Sequence, residues 1–211
     1  GNSFGASIDV SANKYAVGIN ANASQGDISI YSEGSISSAA SKYAGGIDSS
    51  TNGQSSVRNT GDIDATASNS GNYIYGIADA QGIRSWGFEN SFVSNSGDIT
   101  VLAESDSSSS WSWSNASGIR SVSDWNTGTS GVYSSGDVSV TATSQYGSAY
   151  AEGIFSSANS AWITTAIGSS LTTSATGDDS ATTTGLNARA NEGNANVYNE
   201  GLISVSANST G

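Results

Sequence analysis

The chain has 211 residues, of which 36% are hydrophobic and 11% are charged, so a conventional thick hydrophobic core would be poorly supplied. Asp and Glu number 18 against 6 Lys and Arg, and the net charge of -12 would repel nucleic acid and anionic membrane surfaces. The absence of Cys and His excludes disulfides, thiolate metal sites, Cys nucleophiles and imidazole bases.

An apolar marker residue recurs along the chain at intervals of 27 to 39 residues, and a period of this size is typical of solenoid proteins. After each marker, apolar and polar positions alternate, as in Ile63/Ala65/Ala67, and a period of two predicts a β-strand. The markers are Ile8, Ile36, Ile63, Ile99, Val138, Leu171 and Ile203.

Two further strands are predicted in each repeat. One contains a Gly-Ile or Gly-Leu pair whose apolar residues are Ile19, Ile47, Ile83, Ile119, Ile154 and Leu186. The other has its apolar residue six positions before the marker, at Ile30, Val57, Val93, Val132 or Val197. Three short strands per repeat, with no Pro to interrupt them, predict an all-β, right-handed parallel β-solenoid of six to seven triangular coils. We expect residues 1–211 to form a single solenoid domain, as a segment or subunit of a longer repeat array.

The corner before each marker has its own pattern. Gly residues at 61, 97, 136 and 201 are predicted to supply a positive φ there. Asn59, Asn95 and Asn199 recur at one position and are expected to stack as an amide ladder. In the sixth repeat Ser169 and Ser170 replace the usual Gly-Asp pair, which predicts a locally irregular corner.

The repeated phrase V-x-N-x-G-D-I-x-V-x-A, followed by Y-A-x-G-I as in KYAVGI (14–19) and KYAGGI (42–47), resembles the passenger repeats of large autotransporter-type bacterial surface proteins. The resemblance covers the whole chain. It implies secretion, a right-handed β-helix and display at the cell surface, and it supplies no catalytic motif. The membrane-barrel segment of that family is not present in these 211 residues, so the implication concerns a processed or excised passenger.

Insertions concentrate at one corner, between the marker strand and the Gly-Ile strand, and they carry aromatic residues among Ser and Asn. Such insertions usually map to the binding face of a solenoid, and aromatic faces suit glycan or protein partners. The alternative is that the rings fold back and cover the edge of the coil. The candidate binding residues are Tyr73, Tyr75, Trp111, Trp113, Tyr146 and Tyr150.

Asp62, Asp98 and Asp137 occupy equivalent positions in three successive repeats. Carboxylates stacked about 4.8 Å apart repel each other by roughly 1 kcal/mol in water, so something should offset the repulsion. One interpretation is bridging Ca²⁺. The favoured one is an Asx-type turn in which each Asp accepts local backbone N–H groups, with no cofactor.

These observations predict an extracellular structural or adhesive solenoid that is a building block of a surface filament or long fibre. Open solenoid ends expose unpaired backbone, so end-to-end self-association is expected, while no apolar run is long enough for membrane insertion. The alternatives are a glycan- or partner-binding adhesin that uses the aromatic corner, and a β-helical polysaccharide hydrolase or lyase built on the Asp row with Arg58 nearby. Because the regular Asp row is typical of architecture, we expect no enzymatic activity.

Overall fold

The computed structural model describes residues 6–70, 76–108, 111–124 and 126–209, and the regular structure within these ranges is β-strand throughout. Strands β1 to β19, numbered in chain order, form three parallel sheets. Sheet I consists of β1 (Ile8–Ala12), β4 (Ile36–Ala40), β7 (Ile63–Asn69), β10 (Ile99–Ser105), β13 (Val138–Ser144), β16 (Ser170–Gly177) and β19 (Leu202–Ser209). Sheet II consists of β2 (Tyr15–Ala23), β5 (Tyr43–Thr51), β8 (Ile77–Gly87), β11 (Trp113–Ser123), β14 (Ser148–Ala158) and β17 (Ser180–Ala190). Sheet III consists of β3 (Ile28–Ser32), β6 (Gln54–Asn59), β9 (Asn90–Asn95), β12 (Thr129–Ser134), β15 (Ser160–Thr165) and β18 (Ala195–Asn199).

Each strand pairs in parallel with the strand three places later in the chain, so every coil contributes one strand to each sheet. This arrangement confirms the predicted all-β, right-handed parallel β-solenoid with three strands per coil, six full coils and the start of a seventh. The part of the chain that the structure describes contains no helix of the length and apolarity needed to cross a bilayer.

The marker residues form one continuous column inside the solenoid. Ile63 pairs with Ile36 and Ile99, and Ile99 pairs with Val138, so the register follows the sequence repeat. Ile203 pairs with Leu171 in the last strand pair of sheet I. Further columns fill the narrow core, and they contain Ile47, Val57, Ala67, Ile83, Val93, Ala103, Ile119, Val132, Ala142, Ile154 and Ile163 among others. Burial of one residue type at one depth in every coil explains why the repeat is visible in the sequence.

A chain of buried serine hydroxyls runs between sheets II and III along the solenoid axis. Successive Oγ atoms lie 2.7 to 3.0 Å apart, and each side chain is fully buried. The members are Ser49, Ser55, Ser85, Ser91, Ser121, Ser130 and Ser156. Because a hydroxyl both donates and accepts, each serine satisfies its neighbours in a space too narrow for larger side chains.

The predicted positive φ at the corner glycines is wrong, because Gly26 and Gly168 are the glycines with positive φ among the described residues. Close approach between coils is what requires glycine at these corners. A Cβ on Gly97 would lie 2.0 Å from the carbonyl oxygen of Gly61, and a Cβ on Gly136 would lie 2.1 Å from that of Gly97. The recurring glycine therefore allows adjacent backbones to stack, and it does not shape an isolated turn.

The glycine of the Gly-Ile pair is required for the same reason on the opposite side of each coil. A Cβ on Gly82 would lie 2.5 Å from the oxygen of Gly118, and a Cβ on Gly118 would lie 2.6 Å from that of Gly153. Steric contact with a neighbouring coil thus explains both recurring glycine motifs.

The corner of the sixth coil is irregular, as predicted. Ser169 stands where Gly136 stands in the fifth coil, and a side chain there would meet the preceding backbone. The chain avoids this contact with a turn in which Ser169 N–H donates to Ala166 O at 3.3 Å and Gly168 adopts a φ of 86°. The adjacent strand β15 carries Ile163 in register with Val132 and Val197, although the sequence repeat is weak there.

The structure places Asn59, Asn95 and Asn199 at one position of sheet III. Asn59 Nδ2 donates to Asn95 Oδ1 at 2.9 Å, and both side chains are buried. Asn199 is separated from this pair by Ser134 and Thr165 in the intervening coils, and it accepts from the Thr165 hydroxyl. The amide ladder therefore joins one pair of coils, while each Asn also donates to the carbonyl of the glycine two residues later.

Candidate binding surfaces

The aromatic corner lies between sheets I and II and exposes several of the predicted rings. Trp111 is 72% exposed, and Trp113 and Tyr146 are also exposed, whereas the intervening Ser112 is buried. The alternation in this segment thus places both tryptophans on the outer surface. Two of the predicted residues, Tyr73 and Tyr75, lie outside the described residues.

Tyr150 belongs to the neighbouring face of sheet II, where its strand partner is Asn115, two residues beyond Trp113. Its hydroxyl donates to Glu152 Oε1 at 3.1 Å. Burial and the adjacent Glu152 carboxylate raise the pKa of Tyr150. The ring is therefore held by the sheet surface, unlike the exposed tryptophans.

The Asp row is a coil-to-coil hydrogen-bond ladder. Asp62 Oδ1 accepts from the backbone N–H of Asp98 at 3.1 Å, and Asp98 Oδ1 accepts from that of Asp137 at 3.0 Å. Asp137 Oδ1 in turn accepts from Ser170 N–H at 2.7 Å. The predicted bonds to local backbone are corrected by this finding, because each carboxylate binds the backbone of the following coil.

The surroundings of the row bear on the metal and enzyme interpretations. Among the residues that the structure describes, no three His, Cys, Asp or Glu side chains converge as a metal site. Arg58, which the sequence placed near the row, lies with its guanidinium 5.3 Å from the ring centre of Tyr31. The ladder hydrogen bonds give the row a structural role in joining the coils.

The outer face of sheet II carries a second surface that the sequence analysis missed. Arg84 and Arg120 are strand partners in adjacent coils, and a cavity of about 320 Å³ opens between them. Gln81 lines one side of this cavity, Trp86 and Val122 line the other, and the cavity is also lined by Ser85. We call this cavity, with its lining residues, the arginine cleft.

Each arginine of the cleft leans away from the other toward a partner in an outer coil. Arg84 Nε lies 3.6 Å from Asp48 Oδ1, and an Arg120 terminal nitrogen lies 3.8 Å from Glu152 Oε2. The Arg120 guanidinium also stacks 4.8 Å from the ring centre of Phe155, which Arg189 approaches at 5.4 Å from the other side.

A polar network positions the Gln81 side of the cleft. Asp79 Oδ1 accepts from Gln81 Nε2 at 3.3 Å and from Asn115 Nδ2 at 3.2 Å. The Tyr43 hydroxyl donates to Gln81 Oε1 at 3.4 Å. Burial raises the pKa of Asp79, and burial together with the Asp48 carboxylate raises the pKa of Tyr43 to about 12.

The sequence contained a signal for the arginine cleft. The residue directly after each Gly-Ile pair lies on the outer face, and in successive coils this position holds Asp48, Arg84, Arg120 and Phe155. Two of the chain's few arginines therefore occupy this column in adjacent coils.

Comparison with protein-family models, with curated proteins and with solved structures gave no match.

Proposed function

We propose that this chain is an extracellular, surface-displayed structural and adhesive module of a filament or long fibre. The filament would be a rod that grows as further coils stack on the axis of the solenoid. The resemblance of the repeated phrase to autotransporter passenger repeats supports the surface location. The three uninterrupted parallel ladders support the mechanical role, because each coil is held to the next by backbone hydrogen bonds along all three sides.

One observation carries this proposal. The last described coil exposes the residues that interior coils bury, since Val197, Ile203 and Val205 are 50%, 37% and 48% exposed. Their counterparts one coil earlier, Ile163 and Leu171, are 1% and 3% exposed. A second copy stacked on this coil would cover these side chains and pair the free strand edge.

Electron microscopy of residues 1–211 tests whether copies stack. We expect rods longer than one copy, with an axial repeat of about 4.8 Å in diffraction from aligned material. Val205→Asp should shorten the rods by charging the end of the core. Ser204→Asp, the outward neighbour on the same strand, is the matched control and should leave the rods unchanged.

Single short rods at every concentration would overturn the stacking of copies. Imaging with and without a calcium chelator also tests the Asp row. Rods that fray on chelation would assign a metal to the row, whereas the ladder hydrogen bonds predict no change.

A second candidate function is glycan or protein binding at the aromatic corner, favoured by the exposure of Trp111 and Trp113. A glycan array probed with the wild-type chain and with Trp111→Ala/Trp113→Ala tests it. Phe88→Ala, which removes an exposed ring at another corner, is the control. Equal array signals for the wild type and the double variant would remove this candidate.

A further inference from the structure

The arginine cleft joins three features of a ligand site on one sheet face. Its volume of about 320 Å³ lies at the lower end of the range of small-molecule pockets. Arg84 and Arg120 border it from adjacent coils, and Trp86 and Val122 form an apolar side. A pocket with an aromatic side and a few convergent polar groups is the usual form of a specific binding site.

The arginine side chains of the cleft are more exposed to solvent than their acidic partners. The side chains of Arg84 and Arg120 are 44% and 46% exposed, while those of their partners Asp48 and Glu152 are 19% and 3% exposed. Both ion pairs exceed 3.5 Å, longer than the 2.7–2.9 Å typical of a charge-assisted hydrogen bond. The guanidinium groups therefore face solvent with donor capacity that a carboxylate ligand would use.

The two sides of the cleft differ in chemistry. Gln81 offers an amide that is oriented by Asp79 and Tyr43, and it suits a ligand hydroxyl. Trp86 and Val122 offer apolar contact to a ring face. A ligand matching this arrangement carries a carboxylate, hydroxyl groups and an apolar ring face in one small unit.

We propose that the arginine cleft binds a carboxylated sugar, such as a uronic acid unit of an acidic polysaccharide. The sugar carboxylate is held between Arg84 and Arg120, one ring face packs on Trp86, and a hydroxyl bonds to Gln81. This site is separate from the aromatic corner, and its occupancy does not depend on the stacking of copies.

The charge of the whole chain argues for a sugar over a simple polyanion. A net charge of -12 repels any anionic ligand at long range, so attraction must come from short-range contacts in the cleft. A polyanion without sugar rings gains little from Trp86 and Gln81. Binding should therefore require both the carboxylate and the ring.

Titration calorimetry with oligogalacturonate tests the proposal on the full chain. We expect the wild type to bind saturably. The affinity of Arg84→Ala/Arg120→Ala, and that of Trp86→Ala, should be lower by about tenfold or more. Arg84→Lys/Arg120→Lys keeps the charge for Asp48 and Glu152 but loses the planar fork of donors. It should also bind more weakly, and it carries the test if the alanine variant does not fold.

Matched controls separate the cleft from the charge and from the aromatic corner. Arg58→Ala removes one positive charge from sheet III, against two in Arg84→Ala/Arg120→Ala, and Trp111→Ala/Trp113→Ala removes the exposed corner rings; neither should alter binding. Fully methyl-esterified oligogalacturonate and polyglutamate should bind weakly or not at all. The proposal is overturned if the wild type does not bind oligogalacturonate, if Arg58→Ala weakens binding as much as the cleft variants, or if polyglutamate binds equally well.

Discussion

Substituting Gly97 by Ala should separate two coils of the solenoid. The new Cβ would lie 2.0 Å from Gly61 O, whereas ordinary contact begins near 3.4 Å, so the backbones must part locally by about 1.4 Å. Three coil-to-coil hydrogen bonds flank this point: Ser96 N to Asn59 O at 2.9 Å, Asp98 N to Asp62 Oδ1 at 3.1 Å, and Ile63 N to Asp98 O at 2.8 Å. An added 1.4 Å would lengthen each beyond 4 Å, past hydrogen-bonding range.

The expected cost follows from these three bonds. At about 1 kcal/mol each, their loss removes about 3 kcal/mol, and the reduced entropy of the unfolded alanine chain returns about 0.4–1 kcal/mol. We therefore expect Gly97→Ala to lower the free energy of unfolding by about 2 kcal/mol or more. Urea denaturation followed by circular dichroism measures this change.

Gly45→Ala is the matched control for this substitution. A Cβ on Gly45 would meet the ring of Tyr43 at 3.2 to 3.5 Å, and this side chain can adjust. The free energy of unfolding should then change by less than about 0.5 kcal/mol. If both alanine variants were equally stable, the close approach of coils would not be the reason for the recurring glycine.

Three further predictions concern polar groups. Ser91→Ala should lower the free energy of unfolding by about 1–3 kcal/mol, because it breaks the chain of buried serine hydroxyls. Ser94→Ala, on the exposed side of the same strand, should have little effect. Equal denaturation midpoints for the two variants would refute the stabilising role of the serine hydroxyls. Because the folded-state pKa of Tyr43 is raised to about 12 from 10.0, its contribution to stability is complete below pH 10 and is lost as pH rises through 12, a fall of up to about 3 kcal/mol. Urea titrations across this range should show a flatter decline for Tyr43→Phe, and an unchanged slope would contradict the assignment. Asp98→Asn keeps an acceptor oxygen for Asp137 N–H and removes one repelling charge. In thermal denaturation the variant should therefore be at least as stable as the wild type, with or without calcium. If the variant were less stable than the wild type only when calcium is present, the Asp row would have a metal-binding role.

The sequence repeat was sufficient to predict the fold because one physical constraint acts on every coil. Ile99 must be apolar because it is buried at the same position of its coil as Ile63 and Val138. The spacing of apolar residues in the sequence therefore equals the length of a coil. The positions of the strands in all three sheets follow from that period.

The reason for the glycines was not predictable in the same way. A positive φ and a close backbone approach both require glycine, so the presence of glycine at position 97 does not distinguish the two causes. Only the position of the Gly61 carbonyl in the preceding coil shows that contact is the cause. The Asp row was misjudged similarly, because the acceptor role of Asp98 involves a residue 39 positions later.

The candidate surfaces were predicted in part. Exposed tryptophans at an insertion were recognisable because they depart from the repeat. The arginine cleft conforms to the repeat, so Arg84 and Arg120 attracted no attention until their register placed them side by side. Serines such as Ser91 were hidden by the abundance of serine throughout the chain.

A ladder of distances between spin labels would test the stacked, in-register coils most directly. The chain contains no native cysteine, so double variants that pair a cysteine at Ser37 with one at Thr100, Thr172 or Ser204, all outward positions, label cleanly. Relative to Ser37, these positions lie two, four and five coils along one column of sheet I. Pulsed electron resonance should give separations that grow by about 4.8 Å per coil, reaching about 24 Å for the Ser37–Ser204 pair. A separation that does not grow with coil number would contradict the solenoid.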